Sequence, residues 1–120
     1  MSDYKDLVVF QKAHALAMEI FHLTKQFPSE EKFSLIDQIR RSSRSVCVNL
    51  GEAYRKRRYP AHFLSKLTDC DAENTETGIW LKFSLDCNYL PNNLYEDLIS
   101  KNNEVGKLLG YMIQNPGKFL

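Results

Sequence analysis

The chain has 120 residues, 43% of them hydrophobic and 26% charged, with a formal net charge of +1. That length suits one domain, residues 1–120, whose core needs no metal or disulfide staple, and the composition excludes a disordered chain. The near-zero balance excludes a global electrostatic pull toward nucleic acid or an anionic membrane, so any such pull must come from segregated charge.

Pro28, Pro60 and Pro91 divide the chain into four segments, and Pro116-Gly117 closes the last. Apolar residues recur every three or four positions in each, which is the helical period. The first segment predicts a helix from about Val8 to Gln26, with Val9, Ala13, Leu16, Ile20 and Phe27 as its stripe. The second starts after Ser29, a favourable N-cap, with Glu30 and Glu31 in the first turn, and runs to about Arg57. Pro60 suits the first turn of a third helix, which reaches about Asn88. Asn93, with Glu96 three residues on, resembles a capping arrangement for a fourth, striped by Leu94, Leu98, Val105, Leu108 and Met112. About 28 residues in each central helix would make rods of roughly 42 Å. Short connections force neighbours antiparallel, so the expected fold is all-α, an up-down-up-down four-helix bundle.

On the second helix Leu35, Ile36, Ile39, Val46, Leu50, Ala53 and Tyr54 fall in one sector, the expected core face. Arg40, Arg41, Arg44, Arg55 and Arg58 fill a neighbouring sector, with Lys56 and Arg57 just off it. Between Gln38 and Arg58 there are seven basic residues and one acid, whereas between Lys66 and Glu104 there are three basic residues and eight acids. Arginine binds phosphate and carboxylate at two points, so this face fits RNA, DNA or an acidic protein. The alternative is a solvated face, or arginines paired with acids of the third and fourth helices. Asp37, one turn before Arg41, is a candidate i,i+4 partner.

The third helix places Phe63, Leu64, Leu67, Leu81 and Leu85 on one face, with Asp71, Asn74 and Gly78 in its middle. Asp71 and Asn74 then need partners, for which Asn49 and Glu52 are candidates, and a register-fixing polar network is the expectation. Gly78 suits a close helix approach. Ile79, Trp80 and Phe83 form a second apolar patch, which points to a homo-oligomer interface unless the terminal Phe119 and Leu120 cover it.

No catalytic motif appears. GxSxG, P-loop, GxGxxG and HExxH patterns are absent, and Ser42, Ser43, Ser45 and Cys47 lack a nearby base in sequence. A bundle metal site uses a Glu-x-x-His pair on each of two helices. Glu19 and His22 make one such spacing, but His14 and His62 have no Glu three positions earlier, so no second pair exists to face it. Cys47, Cys70 and Cys87 form no zinc-ligand spacing and are expected to be buried or half-buried thiols in a reducing compartment. No apolar run approaches the ~20 residues of a membrane span, nor is there a signal peptide. The expectation is a cytoplasmic, non-enzymatic protein with no cofactor, metal or membrane partner.

Gln38-Ile39-Arg40-Arg41-Ser42, followed by Asn49-Leu50-Gly51-Glu52-Ala53 and Arg55, resembles the signature of the 23S rRNA intervening-sequence protein family, small bacterial four-helix bundles. Val9, Gln11-Lys12-Ala13, Phe27-Pro28, Glu31, Phe33, Glu76-Thr77, Trp80-Leu81, Asp86-Cys87 and Tyr89-Leu90 are similar to further family positions, so the resemblance spans nearly the whole chain. It departs where the family usually has Ala before that Glu and Gly after it, the reverse of Gly51-Glu52-Ala53, and at Asn88, where Gly is common. The resemblance implies a ring-like homopentamer. It also implies kinship with the accessory variability protein of diversity-generating retroelements, a basic pentameric barrel that binds nucleic acid and a reverse transcriptase. Its implied partners are therefore RNA or a nucleic-acid-processing protein, with a protein–protein adaptor as the alternative.

Overall fold

A computed structural model describes residues 3–120. Its helices are α1 (Val8–Thr24), α2 (Leu35–Arg55), α3 (Pro60–Asp86) and α4 (Asn92–Gln114), with short 3-10 turns at Tyr4–Asp6, Ser29–Glu31 and Pro116–Phe119. α2 is about 32 Å long at 1.5 Å per residue, so the link over residues 56–59 is too short to run back along it and α3 must reverse direction. Each helix packs on its two neighbours, α1 on α2 and α4, α3 on α2 and α4, while the diagonal pairs make no close approach among the described residues. The result is the expected all-α four-helix bundle, 44 Å along its longest axis.

Several helix ends differ from the sequence expectation. Ser29 opens a 3-10 turn instead of capping α2. The start of α2 is capped by Glu31, whose Oε1 accepts both the Leu35 backbone N–H and the Ser34 hydroxyl, while Oε2 accepts the Tyr89 hydroxyl at 2.9 Å. Hydrogen bonds from Ser34 and Tyr89 hold this carboxyl below the usual glutamate range. One carboxylate thus joins the start of α2 to the chain just past α3. α2 ends at Arg55 and α1 at Thr24, each two residues short of expectation. Asn93 lies inside α4, which begins at Asn92 after Pro91 and makes no side-chain cap. α3 ends at Asp86, and Asn88 adopts φ 63°, the left-handed conformation. The Asn88 N–H donates to the Leu85 carbonyl and the Tyr89 N–H to the Ser84 carbonyl, both at 2.9 Å, which is the Schellman pattern. Asn tolerates left-handed backbone better than any side chain but Gly, which explains Asn at this position.

Buried residues follow a strict four-three alternation: Phe63, Leu67, Cys70, Asn74, Thr77, Leu81 and Ser84 on α3, and Leu98, Asn102, Val105, Leu109 and Met112 on α4. This is the seam of coiled-coil-like packing. Leu64, expected on the core face, lies beside the seam and is 36% exposed, and Leu85 is half-buried. The seven residues expected to form the core face of α2 are all buried, joined by Ser42 and Ser43.

The core is two apolar clusters with a polar layer between them. One cluster holds Val9, Val46, Leu50, Phe63, Leu67, Leu109 and Met112, the other Leu16, Ile20, Ile36, Ile39, Leu81 and Leu98. In the layer Ser42 Oγ and Thr77 Oγ1 share a hydrogen bond of 2.8 Å. Asn74 Nδ2 donates to the Asn102 backbone carbonyl at 3.2 Å, and Asn102 Nδ2 donates back to the Asn74 carbonyl at 3.1 Å. Asn102 Oδ1 is buried with no protein partner, and a void of about 10 Å³ lies within this layer, lined by residues of all four helices. That is about the volume of a single water, the ordinary partner for such an oxygen.

This pair needs glycine beside it. A Cβ at Gly106 would stand 2.9 Å from Asn74 Nδ2 and one at Gly78 3.1 Å from Asn102 Nδ2, so the close approach expected at Gly78 is present. A Cβ at Gly110 meets nothing within 4 Å. Gly110→Ala should therefore raise unfolding stability by about 1 kcal/mol through helix propensity. Gly106→Ala should be at least about 1 kcal/mol less stable than Gly110→Ala, because its Cβ displaces a buried hydrogen-bonded amide. Urea denaturation of the two variants checks both, and equal gains would show that the amide pair yields freely.

Candidate nucleic-acid interface

The seven basic residues singled out on α2 and just past it separate into three groups in space. Arg40 is a clamp between helices. Its Nε donates to Thr24 Oγ1 at 2.8 Å and its Nη2 to the Phe21 carbonyl at 3.3 Å, while its guanidinium carbon lies 4.8 Å from the Phe21 ring centroid. Thr24 is itself fixed, since its hydroxyl donates to the Ile20 carbonyl at 2.8 Å. Arg57 is a second clamp. Its Nε donates to the Tyr54 carbonyl at 2.9 Å, its Nη1 reaches the Phe119 carbonyl at 3.4 Å, and its guanidinium lies 3.6 Å from the Tyr54 ring centroid. These two are not free members of the expected basic set, because each ties α2 or the chain just past it to a neighbouring segment.

Arg41 and Arg44 are exposed in the first half of α2, and Arg55, Lys56 and Arg58 are exposed around its C-terminal end. Arg44 and Arg55 lie eleven residues apart, roughly 16 Å along the axis. A groove of about 630 Å³ runs along the first half of α2, lined by Arg40, Arg41 and Arg44 with Lys32, Phe33, Ile36, Asp37, Ser45 and Val48. Val48 also borders a second groove of about 520 Å³, which reaches Arg55 and includes Tyr4, Phe10 and Cys47. The outer face of α2 is therefore one long mixed surface.

Every ion pair among the described residues is made by a lysine. Lys12 pairs with Glu104, Lys66 with Glu52 and Asp69, Lys82 with Asp86, and Lys101 with Glu19 and Asp97. None of the arginines lies within 4 Å of a carboxylate, and the expected Asp37–Arg41 pair does not form. Glu73 on α3 sits above the usual glutamate range because it is partly desolvated and faces Glu76, and the Arg41 charge only partly offsets this.

The four residues expected to form a buried polar network do not form one. Asn49 and Glu52 meet Lys66, whose Nζ donates to Asn49 Oδ1 at 3.1 Å and to Glu52 Oε1 at 3.5 Å at the edge of the α2/α3 contact. Asp71 is half-buried and without a hydrogen bond. Asn74 faces α4, so its partner is Asn102, a residue outside the expected network. The signal that points to it is the four-three spacing of Asn102 between Leu98 and Val105. Ile79 and Phe83 are 51% and 52% exposed. Trp80 is half-buried, its ring 5.8 Å from that of Phe83 and its indole N–H donating to Glu76 Oε1 at 3.1 Å. Phe119 packs against the other core cluster, beside Tyr111, so it does not cover this patch.

No group of three His, Cys, Asp or Glu side chains able to hold a metal ion occurs among the described residues, and no described helix is long and apolar enough to cross a membrane. Burial pushes the Cys47 thiol up to about 11 and the Cys70 thiol up to about 12. Cys87, expected at least half-buried, is exposed just past the end of α3.

Residues 5–111 match the family model described as 23S rRNA-intervening sequence protein. A crystal structure of a protein of unknown function from the S23 ribosomal protein family of Bacteroides thetaiotaomicron is similar, with 32% identity and a TM-score of 0.82 over 89% of this chain and 96% of that one. No curated protein matches the chain.

Two measurements check this geometry. Arg40→Lys should cost about 1–2 kcal/mol in urea denaturation, because lysine cannot serve both acceptors, while Arg41→Ala and Arg44→Ala should stay within about 0.5 kcal/mol of the parent. A thiol-reactive chromophore at pH 8 should label one cysteine per chain quickly, and Cys87→Ser should abolish that fast phase, since only a thiolate attacks and the other two thiols are held protonated.

Proposed function

The chain belongs to the 23S rRNA-intervening sequence protein family, and on that premise we propose that it is a non-enzymatic helical scaffold that self-associates and binds the phosphate backbone of RNA through the outer face of α2. The observation that carries this reading is the division of labour between the cations. Lysines make every ion pair of the described fold, while Arg41, Arg44, Arg55 and Arg58 stand exposed with no carboxylate in reach. An exposed guanidinium with its fork unoccupied is suited to two-point recognition of phosphate. Lys56 adds charge at the same end. The family's name adds nothing to this, since a gene's location in an rRNA insert says nothing about what its product touches.

Self-association is supported by Ile79 and Phe83, which extend the Trp80 edge of the core into solvent on α3. A ring of five copies is what the family resemblance implies. A second reading, an adaptor for an acidic protein, is favoured by the exposed apolar Phe33 and Val48 among the arginines. Generic RNA separates the two, because it should compete with an RNA ligand and leave a protein adaptor's partner bound.

Binding of the purified protein to labelled structured RNA across a salt series is the test. Wild-type protein should bind with a steep logarithmic salt slope, and Arg41→Ala/Arg44→Ala should flatten that slope by about 2, one unit for each phosphate no longer neutralised. On the same samples mass should show an oligomer that Ile79→Ser/Phe83→Ser reduces to smaller species. An intact oligomer that ignores RNA at low salt would hand the arginines to assembly or to an acidic protein.

A further inference from the structure

The groove on the first half of α2 holds more than charge. At one end stands Phe33, 85% exposed, the most exposed large apolar side chain among the described residues. It lies in the short stretch between the Ser29–Glu31 turn and the start of α2, while Leu35 and Ile36, two and three residues later, are buried. A phenyl ring left in water at a site whose neighbours reach the core has a free face available for contact. Lys32 Nζ is 5.4 Å from its centroid. Farther along lie Arg40, Arg41 and Arg44, against one carboxylate, Asp37. Lys25 Nζ lies 4.6 Å and the Arg44 guanidinium 5.6 Å from the same Phe21 ring that Arg40 covers, so three cations converge there without an ion-pair partner.

Arg40 is preorganised for such a site. Its Nε and Nη2 are committed to Thr24 and Phe21, which immobilises the guanidinium, and its Nη1 makes no hydrogen bond. An anion meeting Nη1 would not have to order the side chain first, a cost that otherwise lowers affinity. Ile36 and Val48 supply apolar lining, and about 630 Å³ falls within the range of sites that enclose a small ligand.

Cations that suit phosphate, with an exposed aromatic face at one end, match the two halves of a nucleotide. Paired bases in a duplex stay stacked inside and offer only phosphates. An unpaired nucleotide offers both a phosphate and a π-face, and base–aromatic stacking beside a basic groove is how sequence-tolerant single-strand binders work. We infer that this groove binds an unpaired segment of RNA, with phosphate on Arg40, Arg41 and Arg44 and a base stacked on Phe33. The inference rests on the RNA-binding reading above and sharpens it, because it assigns a role to a residue without charge and a preference for single strands over duplex.

The test uses full-length protein and three probes of equal charge: an unstructured eight-nucleotide RNA, an abasic ribose-phosphate oligomer of the same length, and a duplex. The unstructured RNA should bind tightest. Phe33→Ala should weaken it by roughly 5- to 100-fold, leave its salt slope unchanged and leave abasic binding unaffected, and Phe33→Tyr should restore it. Arg44→Ala should instead lower the slope by about 1 for all three probes. Phe33 is exposed, so unchanged thermal melts should show each variant folded. Equal binding of abasic and normal RNA, or an indifferent Phe33→Ala, overturns the stacking inference while leaving phosphate binding standing. Failure of every probe to bind at low salt overturns both. Phe33→Ala that lowers the assembly's mass without touching RNA affinity makes this face a contact between copies and likewise overturns the inference.

Discussion

The bundle depends on one reciprocal contact at its middle, the exchange of side-chain amide hydrogen bonds between Asn74 and the backbone of Asn102 and the reverse. Apolar side chains tolerate sliding by a turn, because one Leu fills the place of another at small cost. Two amides that each find the other's carbonyl do not, since any shift of α3 against α4 leaves buried polar groups unpaired. The Ser42–Thr77 bond performs the same service between α2 and α3. A polar layer between two apolar clusters thus sets register across three helices, and glycines at 78 and 106 let the helices come close enough for it to form.

Register at the middle decides what the surface carries. With the seam of α2 turned inward through Ile39, Ser42, Ser43, Val46, Leu50 and Ala53, Arg41, Arg44 and Arg55 are left on its exposed side. Arg40 stands at the border. It is near enough to α1 to be captured by Thr24 and Phe21, so one cation of the set turns from ligand-seeking to structural while still lining the groove. Arg57 is captured in the same way by Tyr54 and the chain past α4. Glu31 completes the pattern at the other end of α2, where its carboxylate starts the helix and holds Tyr89. That contact keeps the segment carrying Phe33 in place beside the groove.

On α3 and α4 Asp69, Asp86, Asp97 and Glu104 pair with lysines, and no carboxylate among the described residues pairs with an arginine. Net charge conceals this. A chain at +1 carries a mostly cationic face because most of its anions lie on other segments. The exposed Ile79 and Phe83 lie on α3, so the apolar and basic surfaces occupy different helices and one need not obstruct the other.

Helix number, helical period, the division at the prolines and the core face of α2 were legible in the residue order, because each depends on spacing along one helix. The basic character of α2 was legible for the same reason. What each arginine does was not. Arg40 and Arg44 sit one turn apart on the same helix face, yet one is clamped and the other exposed, and the difference lies in which atoms of α1 stand nearby. The partner of Asn74 was equally hidden. Asn49 and Glu52 were the expected partners and Asn102 was not among them; only the packing order placed α4 opposite Asn74 and Lys66 opposite Asn49. The exposure of Leu64 and Phe33 followed from the seam and from a turn where a helix start was expected. Sequence by itself determined the periodic faces and their charge. Tertiary structure decided which polar groups meet, since a hydrogen bond depends on positions set by two chain segments together and not on the composition of either.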